Sequence, residues 1–309
     1  MSIVAIDHFR DGVVLQADAT HPKTIERVRQ RLDGPAALIG ADPWYGEILP
    51  EVGDTCLAVT GIPSGTKEGE DAFVAWMLDW TRAWSALLAE GGAMYVWGGV
   101  GKPGFRPWFG YMNRIERETG LTIAMPITWK KKRAYGLPYN YLFTREELVY
   151  LVKGDPKKPR CFHVPLTDRL RGYAGYDKRY PAKSDKLRRS NVWVEDGPPA
   201  LPPTESDPTT LPEFRMADVW DETEILRGKR HVCEKVKRVN EIPIEVHTDP
   251  GEIVVDLFSG SGSLSEAARR LGRHWIAVES DATMCASIAQ TMADDDARSA
   301  LSALTDVTT

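Results

Sequence analysis

The feature that most constrains the fold is a set of short apolar runs that alternate with segments of helical periodicity. The run at residues 36–41 is continuously apolar and stops abruptly at an acid followed by a proline. Continuous apolarity over about four to eight residues is typical of strands that are buried on both faces of a parallel sheet. Helices on the two faces of such a sheet provide that burial, so the pattern predicts an α/β fold.

The predicted elements follow one another along most of the chain. The predicted strands cover residues 13–18, 36–41, 93–97, 123–129, 148–152, 252–258 and 274–279, and the predicted helices cover residues 21–32, 71–89, 109–119, 264–271 and 281–292. Thr20 is expected to cap the first helix, because its hydroxyl can accept from a free N–H of the first turn. We expect a loop before the helix at 71–89 and a frayed tail from Ala293 onward.

The middle of the chain has a different character. Residues 155–215 are rich in Pro, Lys, Arg and Tyr and show no sustained period, and two Pro-Pro pairs interrupt any regular element. We interpret this stretch as an insertion between two halves of one α/β domain, at residues 1–154 and 216–309.

Charge is distributed unevenly along the chain, whose net charge is −5. Residues 129–191 contain 17 Lys and Arg against 6 Asp and Glu, a net charge of +11, so the remainder carries −16. A basic block in an acidic protein is the local signature of a polyanion-binding surface, because the local potential steers a charged partner. A solvated, lysine-rich loop is the alternative interpretation.

Composition excludes several classes of protein. No apolar stretch approaches the roughly 18 residues that a membrane span needs, and the N-terminus lacks the pattern of a secretory signal. The four cysteines are far apart and form no C-x-x-C pair, so the sequence predicts neither a disulfide scaffold nor a metal site. We therefore expect a cytoplasmic protein without a membrane partner.

Residues 256–263, Asp-Leu-Phe-Ser-Gly-Ser-Gly-Ser, carry the strongest single signal for a binding site. They lie between a predicted buried strand and a predicted helix, which is where α/β sheets bind nucleotide-type cofactors. Gly260 and Gly262 allow the backbone to approach a ligand closely. Glu279 ends the next predicted strand, where an acid can accept hydrogen bonds from ribose hydroxyls. The alternative is a glycine-rich turn without a ligand.

The residues of this turn also discriminate between cofactors. The dinucleotide fingerprint needs a third glycine at position 265, where this chain has Ser265. Asp256 occupies the place of a bound pyrophosphate, which its carboxylate would repel. S-adenosylmethionine carries a sulfonium and an ammonium and is compatible with that carboxylate. The turn therefore favours S-adenosylmethionine over a nicotinamide dinucleotide.

Residues 42–45, Asp-Pro-Trp-Tyr, follow a buried strand at the edge where open α/β sheets place their sites. The exocyclic nitrogen of a nucleobase is a poor nucleophile, because its lone pair is delocalised into the ring. The Asp42 carboxylate and the rigidly held Pro43 carbonyl can each accept one N–H and so direct that lone pair at a methyl donor. Tyr45 can stack on a base removed from its duplex. The alternative is an ordinary Asp-Pro turn beside core aromatics.

Together, the two motifs resemble those of β-class amino-methyltransferases of DNA, which use S-adenosylmethionine. In that family the catalytic Asp-Pro-Pro-Tyr motif comes first, the target-recognition region follows, and the cofactor glycine motif comes last. The resemblance covers nearly the whole chain. It implies a circularly permuted, doubly wound, mostly parallel seven-stranded Rossmann-like sheet, with residues 155–215 as the target-recognition insertion.

Further segments support the resemblance. Residues 90–96 resemble the family's helix-to-strand segment, residues 144–149 its His-Glu segment, and residues 218–220 the Asp-Val-Trp that introduces its next motif. Residues 231–236 are similar to the His-Pro-Thr-Gln-Lys-Pro segment, which lines the methionine end of the cofactor.

Several positions depart from the family's motifs, and in the histidine segment only His231 and Lys235 match. Trp44 replaces the second proline of the catalytic motif, and Arg145 stands where the family often has histidine. Leu257 replaces a proline and Ser263 a threonine. The acid, the first proline and the glycines all remain, so we expect the chemistry to remain.

The resemblance implies a role for each matching residue. The catalytic residues would be Asp42, Pro43, Trp44 and Tyr45. The cofactor residues would be Asp18 near the adenine, with Asp42, His231, Lys235, Asp256, Phe258, Ser259, Gly260, Gly262 and Glu279. The DNA-binding residues would be Lys130, Lys131, Lys132, Arg133, Lys186, Arg188 and Arg189, which can contact phosphates.

The leading hypothesis is methyl transfer to the N6 amine of adenine in DNA, because Asp42 is acidic where cytosine-N4 enzymes often have serine. Cytosine N4 is the alternative acceptor. A nicotinamide-dependent oxidoreductase and a catalytically inactive DNA-binding protein are the other hypotheses. As to assembly, the resemblance leaves a homodimer open, since members of the family are often dimers.

Overall fold

The computed structural model describes residues 4–8, 11–45, 48–49, 53–99, 105–135, 143–163, 166–170, 186–188, 192–193 and 235–306. The strands are β1 (Val4–His8), β2 (Gly12–Gln16), β3 (Ala36–Ala41), β4 (Ile48–Leu49), β5 (Gly53–Asp54), β6 (Leu88–Gly98), β7 (Leu121–Tyr135), β8 (Phe143–Lys153), β9 (Leu166–Leu170), β10 (Lys186–Arg188), β11 (Val192–Trp193), β12 (Ile253–Leu257) and β13 (His274–Glu279). The helices are α1 (Pro22–Arg29), α2 (Thr55–Thr60), α3 (Lys67–Ser85), α4 (Phe105–Thr119), α5 (Lys237–His247), α6 (Ser263–Arg270) and α7 (Ala282–Asp306).

A single large sheet organises the described part of the chain, in the order β1-β2-β13-β12-β3-β6-β8-β7-β11. The five neighbours from β2 to β6 are parallel to one another, and β8 is antiparallel to both β6 and β7. Seven of these strands form the predicted sheet. The short strands β1 and β11 extend it at its two edges, so nine strands are described rather than seven. The predicted mostly parallel α/β fold is confirmed.

Helices cover both faces of the sheet, because successive strand residues point to opposite sides. Leu15 and Ile39 belong to the core shared with α1, α3 and α4. Val14 and Leu38, their immediate neighbours in sequence, belong to the core shared with α5, α6 and α7. This alternation confirms the doubly wound arrangement.

The predicted C-terminal ends of two helices differ most from the structure. Helix α3 ends at Ser85, whereas the prediction continued to residue 89, because Leu88 already pairs with Ala36 as part of β6. The C-terminal residues from Ala293 are helical to Asp306 rather than frayed. Met292 is buried, and Arg269 of α6 pairs with Asp296, so tertiary contacts hold the extended helix.

Other local features differ from the prediction at single elements. His21, not Thr20, caps α1, with its Nδ1 accepting from Lys23 N, whereas Thr20 donates to Asp18. Helix α2 lies within the predicted loop. Helix α5 was missed, because Pro243 lies inside it and proline normally interrupts a helix.

The predicted insertion is not wholly separate from the sheet. Strand β11, at Val192–Trp193, pairs in parallel with Thr128 and Trp129 of β7. Strands β9 and β10 form a small antiparallel pair. In the portion of the chain described here, no helix combines the length and the apolar character needed to traverse a lipid bilayer.

Candidate active site

The candidate site lies where the chain reverses its direction of winding across the sheet. From β12 the chain passes through α6 to β13, whereas from the adjacent β3 it passes through α3 to β6 on the other side. Ligands of open α/β sheets bind in the crevice outside the carboxyl ends of the strands at such a point. A crevice lies here, with about 470 Å³ of empty space when the part open to solvent is included. Its lining includes Asp42, Tyr95, Trp97, Lys235, Asn240, Asp256, Phe258, Ser259 and Ser263.

Strand pairing brings the two predicted motifs together. Asp256 of β12 lies beside Gly40 of β3, and Leu257 lies beside Ala41. The next residue, Asp42, donates its backbone N–H to the Leu257 carbonyl at 3.3 Å. The acid-proline turn and the glycine turn therefore share one crevice.

The glycine turn reverses the chain through three residues with unusual backbone geometry. Phe258, Gly260 and Gly262 have φ angles of 57°, 52° and 76°, in the left-handed region that favours glycine. The Phe258 ring packs against Trp76 and Trp80 of α3, with ring centroids 5.9 Å and 5.3 Å away. A Cβ at position 262 would lie 2.8 Å from Ile288. Tertiary packing thus holds this turn open toward the crevice.

Asp256 is a buried carboxylate in the wall of the crevice. Its side chain accepts hydrogen bonds from Ser265 N at 3.0 Å and from Ser265 Oγ at 2.8 Å. Burial raises the pKa of Asp256 to about 7, and the neighbouring carboxylates Asp42 and Glu279 add to this rise, whereas the bonds from Ser265 oppose it. A cation bound nearby would favour its ionised form.

Two more acids lie at the carboxyl ends of neighbouring strands. Glu279 ends β13 and accepts from the backbone N–H of Gly260 at 2.8 Å. Asp18 follows β2 and accepts from the backbone and the hydroxyl of Thr20. The Ala17 N–H donates to the Glu279 carbonyl, which joins the two strand ends. Both predicted acids therefore lie on the same edge of the sheet as the crevice.

A buried lysine joins the acid-proline turn to β8. Lys235 is 5% exposed, and its Nζ lies 2.7 Å from Asp42 Oδ2, 3.0 Å from Tyr45 Oη and 3.1 Å from Glu146 Oε2. Tyr45 donates to Asp42 Oδ1 at 2.6 Å. The Lys235 ammonium also lies 4.7 Å from the centre of the Trp97 ring, within range of a cation–π interaction. These contacts hold the Asp42 carboxylate in one orientation.

An aromatic cavity adjoins this network. Its empty space, including the part open to solvent, is about 220 Å³, and its lining includes Trp44, Tyr45, Met77, Trp97, Trp108 and Tyr111. Pro43 is buried, whereas Trp44 is 40% exposed. The packing beside Tyr45 is tight, since a Cβ at Gly99 would lie 2.8 Å from the tyrosine Cβ. The cavity offers flat apolar walls beside the Asp42 carboxylate.

Several predicted site residues cannot be placed at the crevice. His231 and Arg189 lie outside the described residues. The backbone of Lys130, Lys131, Lys132 and Arg133 belongs to β7, and that of Lys186 and Arg188 to β10, but their side chains are outside the described part. Their proposed contacts with DNA remain predictions.

Sequence reasoning missed three residues of this site. Glu146 lies in a segment that resembles the family, yet no role was assigned to it. Asn240 belongs to α5, the helix that was not predicted because it contains Pro243, and its side-chain amide donates to Ser263 Oγ at 2.9 Å. Trp97 was recognised only as a strand residue. The signal for Glu146 was available, because it is the acid of the family's His-Glu segment.

The described structure is an open α/β sheet that carries three features at its switch point: a glycine turn, an acid on the next strand and an acid-proline turn. Together these features characterise the class of protein. A sequence model of the N6/N4 methyltransferase family, described as DNA methylase, matches residues 39–290. The match covers most of the chain, and this protein therefore belongs to the N6/N4 DNA methylase family. S-adenosylmethionine is the cofactor of that family, in agreement with the predicted cofactor.

Individual proteins show the same likeness. The chain is 24% identical over 232 residues to the type II methyltransferase M.BamHI of Bacillus amyloliquefaciens, a match that covers 69% of this chain. The same match covers 44% of M.BamHI, so this chain spans less than half the length of that relative.

Two solved structures share the fold. The M1.HpyAVI–SAM complex has a TM-score of 0.53 and 18% identity, covering 90% of this chain and 98% of that chain. The cytosine-N4-specific PvuII DNA methyltransferase has a TM-score of 0.56 and 17% identity, covering 90% of this chain and 85% of that chain.

Proposed function

We propose that this protein transfers a methyl group from S-adenosylmethionine to the exocyclic N6 amine of adenine in DNA. The observation that carries the proposal is the convergence of Asp42 and Asp256, from opposite ends of the chain, on one crevice at the switch point. Family membership supports the reaction class. The acidic side chain of Asp42 supports adenine as the acceptor, and cytosine N4 is the alternative.

The residues of the crevice fit the proposed cofactor. Glu279 and Asp18, at adjacent strand ends, would accept hydrogen bonds from the nucleoside. Gly260 and Gly262 allow close backbone approach, and the carboxylate of Asp256 would pair with the ammonium of the methionine end. When bound, S-adenosylmethionine supplies an electrophilic methyl group. The cofactor contact of Lys235 stays a prediction: its side chain lines the crevice, and its described polar contacts are with Asp42, Tyr45 and Glu146.

The catalytic turn would prepare the acceptor nitrogen. Asp42 and the Pro43 carbonyl each accept one N–H of the target amine, which draws the nitrogen toward tetrahedral geometry and directs its lone pair at the methyl carbon. The new C–N bond forms as the bond from carbon to sulfur breaks. S-adenosylhomocysteine would be the leaving product, and Asp42 would accept the proton that the methylated nitrogen loses and pass it to solvent. Lys235 and Tyr45 hold the Asp42 carboxylate in place while the target amine enters.

The aromatic cavity would receive the base. A base within a duplex cannot reach Asp42, so the enzyme must take it out of the stack. The rings of Trp44 and Tyr45 provide stacking surfaces beside the carboxylate, and base–aromatic stacking contributes about 1–3 kcal/mol per base. Residues 155–215 would provide the target-recognition region, and the Lys130–Arg133 run and Lys186, Arg188 and Arg189 would contact phosphates.

Mass spectrometry of the product tests the proposed reaction. DNA incubated with the purified protein and S-adenosylmethionine is digested to nucleosides, and N6-methyladenine is the expected product. Exclusive formation of N4-methylcytosine would replace adenine by cytosine as the acceptor. DNA binding without any methylated nucleoside would instead indicate a catalytically inactive protein.

The affinity for S-adenosylmethionine should rise with pH through the titration of Asp256. The pKa of Asp256 is raised to about 7 by burial, so at pH 5.5 its carboxyl is mostly protonated and cannot pair with an ammonium. From pH 5.5 to 7.5 we expect Kd, measured by calorimetry, to fall by more than about tenfold. The cofactor's own α-amino group stays largely charged over this range.

The Asp256→Asn variant provides the control. Its Kd should change little between pH 5.5 and 7.5, because an amide does not titrate. In the apoprotein the raised pKa of Asp256 means that the native state binds more protons than the unfolded state between about pH 4 and 7, so this group destabilises the fold progressively as pH rises through that range. If the Kd for S-adenosylmethionine depended on pH in Asp256→Asn as it does in the wild type, another group would be responsible for that dependence.

Removing the basic run should weaken DNA binding in a salt-dependent way. Replacing Lys130, Lys131, Lys132 and Arg133 by alanine should reduce the slope of log K against log salt by about 0.9 for each phosphate that the variant no longer neutralises. Fluorescence anisotropy with a labelled duplex measures this slope. The charge-matched control replaces Lys23, Arg27, Arg29 and Lys67, which lie on α1 and α3. Equal slopes in the two variants would show that the basic run does not bind phosphates.

A further inference from the structure

Three potential metal ligands converge at the amino ends of the parallel strands, opposite the candidate active site. Cys161 and His163 follow β8, and Asp249 precedes β12. His163 Nε2 lies 3.2 Å from Cys161 Sγ and 2.8 Å from Asp249 Oδ1, and all three ligand atoms lie within 4.8 Å of one another. We refer to these three residues as the Cys-His-Asp cluster.

The spacing of the cluster suits a tetrahedral ion. Zinc binds thiolate sulfur at about 2.3 Å and imidazole nitrogen or carboxylate oxygen at about 2.0–2.2 Å, which places neighbouring ligand atoms about 3.3–3.7 Å apart. The distances in the cluster differ from these values by about 1 Å or less. The side chains of His163 and Asp249 are exposed, so both can adjust and a water molecule can complete the coordination.

The backbone around the cluster is already held in place without an ion. The His163 N–H donates to the Val246 carbonyl at 2.8 Å, which attaches this segment to the end of α5. The imidazole of His247 donates from Nδ1 to the Cys161 carbonyl at 3.2 Å, and its Nε2 bonds to Tyr95 Oη. Because Asp249 follows α5 directly, the same hydrogen bonds place it beside Cys161 and His163.

The charges around the cluster are compatible with a cation. The guanidinium of Arg160, next to Cys161 in sequence, forms an ion pair with Glu252 and is thereby neutralised. Glu252 also accepts from the Asp249 backbone N–H at 2.9 Å. The carboxylate of Asp249 therefore faces the cluster without a competing lysine or arginine among its described salt bridges.

We propose that the Cys-His-Asp cluster binds a zinc ion, with Cys161 as thiolate, His163 through Nε2, Asp249 through a carboxylate oxygen and water as the fourth ligand. Thiolate, imidazole and carboxylate are the ligand types that zinc takes in proteins. Binding displaces the thiol proton to solvent. The proposal is independent of the methyl-transfer reaction.

The position of the cluster gives the ion a structural role. His163 and Asp249 are separated by 86 positions, and the chain between them includes most of the proposed target-recognition region, residues 155–215. Closing a long loop lowers the conformational entropy of the chain, and an ion that joins the two ends of such a segment offsets that cost. Zinc would thus fix the entry and exit of this segment on the sheet.

Cobalt substitution tests the site directly. Full-length protein is stripped with a chelator and titrated with Co²⁺, and a near-ultraviolet thiolate-to-cobalt band should saturate at one equivalent. Cys161→Ser should abolish the band, and His163→Ala and Asp249→Asn should each weaken binding of Zn²⁺ at least about tenfold in a chromophoric chelator competition. Cys56→Ser and His274→Ala, which lie outside the cluster, serve as matched controls and should leave both readouts unchanged.

Two outcomes would overturn the proposal. One is the absence of a thiolate band in the wild type at saturating Co²⁺. The other is a band that persists in Cys161→Ser, since the thiolate would then come from another cysteine. Circular dichroism of each variant checks that the fold is intact, and the exposed positions of His163 and Asp249 make their variants suitable if Cys161→Ser alone is unstable.

Discussion

Substituting Asp42 by asparagine is expected to lower the rate of methyl transfer by about 10²–10⁴-fold, the range seen when a group that accepts a proton in the transition state is lost. The amide keeps the volume of the side chain and one acceptor oxygen, so the turn after β3 should persist. It removes the negative charge that accepts the N–H of the target amine. Transfer of a labelled methyl group to DNA, at saturating cofactor, measures the effect.

The cofactor affinity of Asp42→Asn separates a catalytic role from a structural one. If Asp42 acts on the target amine, calorimetry should give a Kd for S-adenosylmethionine within about threefold of wild type, since the cofactor depends mainly on the glycine turn. Asp33→Asn, an exposed substitution of the same kind, is the matched control. Loss of both transfer and cofactor binding would mean that Asp42 supports the crevice rather than the reaction.

Replacing Lys235 by methionine is expected to destabilise the fold by about 3–5 kcal/mol, the usual cost of removing one partner from a buried ion pair. Methionine keeps the length and apolar stem of the side chain but leaves Asp42 and Glu146 without the ammonium that lies between them. The two carboxylates then face each other around the Tyr45 hydroxyl. The free energy of unfolding, from urea denaturation, measures the loss.

The same substitution in a doubly substituted background assigns this loss to the carboxylates. In an Asp42→Asn, Glu146→Gln background, Lys235→Met should cost much less, because no buried negative charge remains to be compensated. Lys153→Met is the matched control, since Lys153 donates to the neutral Leu88 carbonyl and its replacement should cost only about 1 kcal/mol. An equal cost in both backgrounds would show that Lys235 contributes through packing alone.

Much of the fold was predictable, because local patterns specify it. The strands β3 (Ala36–Ala41) and β13 were predicted with their observed bounds. A short apolar run that ends at an acid or a turn is compatible with few secondary structures other than a buried strand. The ends of the helices were predicted less accurately. Helix α3 ends before Leu88, which pairs with β3. Helix α7 extends further than predicted because Asp296 pairs with Arg269 of α6, a contact that local sequence does not show.

The candidate site was predictable to the extent that it lies at strand ends. Asp42, Asp256 and Glu279 were identified because parallel strands bring their carboxyl ends to the same edge of a sheet. The contacts of Lys235 were not predictable in this way. Its segment predicted a contact with the cofactor, and the ion pairs that the structure adds, with Asp42 and Glu146, come from distant segments.

The sequence by itself determined the order of the elements, the motifs after β3 and β12, and the chemistry that those motifs can support. Only the tertiary structure decided which distant side chains meet, both in the Lys235 network and in the Cys-His-Asp cluster. The physical reason is that hydrophobic periodicity and turn chemistry act over a few residues, whereas these polar contacts join segments far apart in the chain. Such contacts exist only after the sheet has brought those segments together.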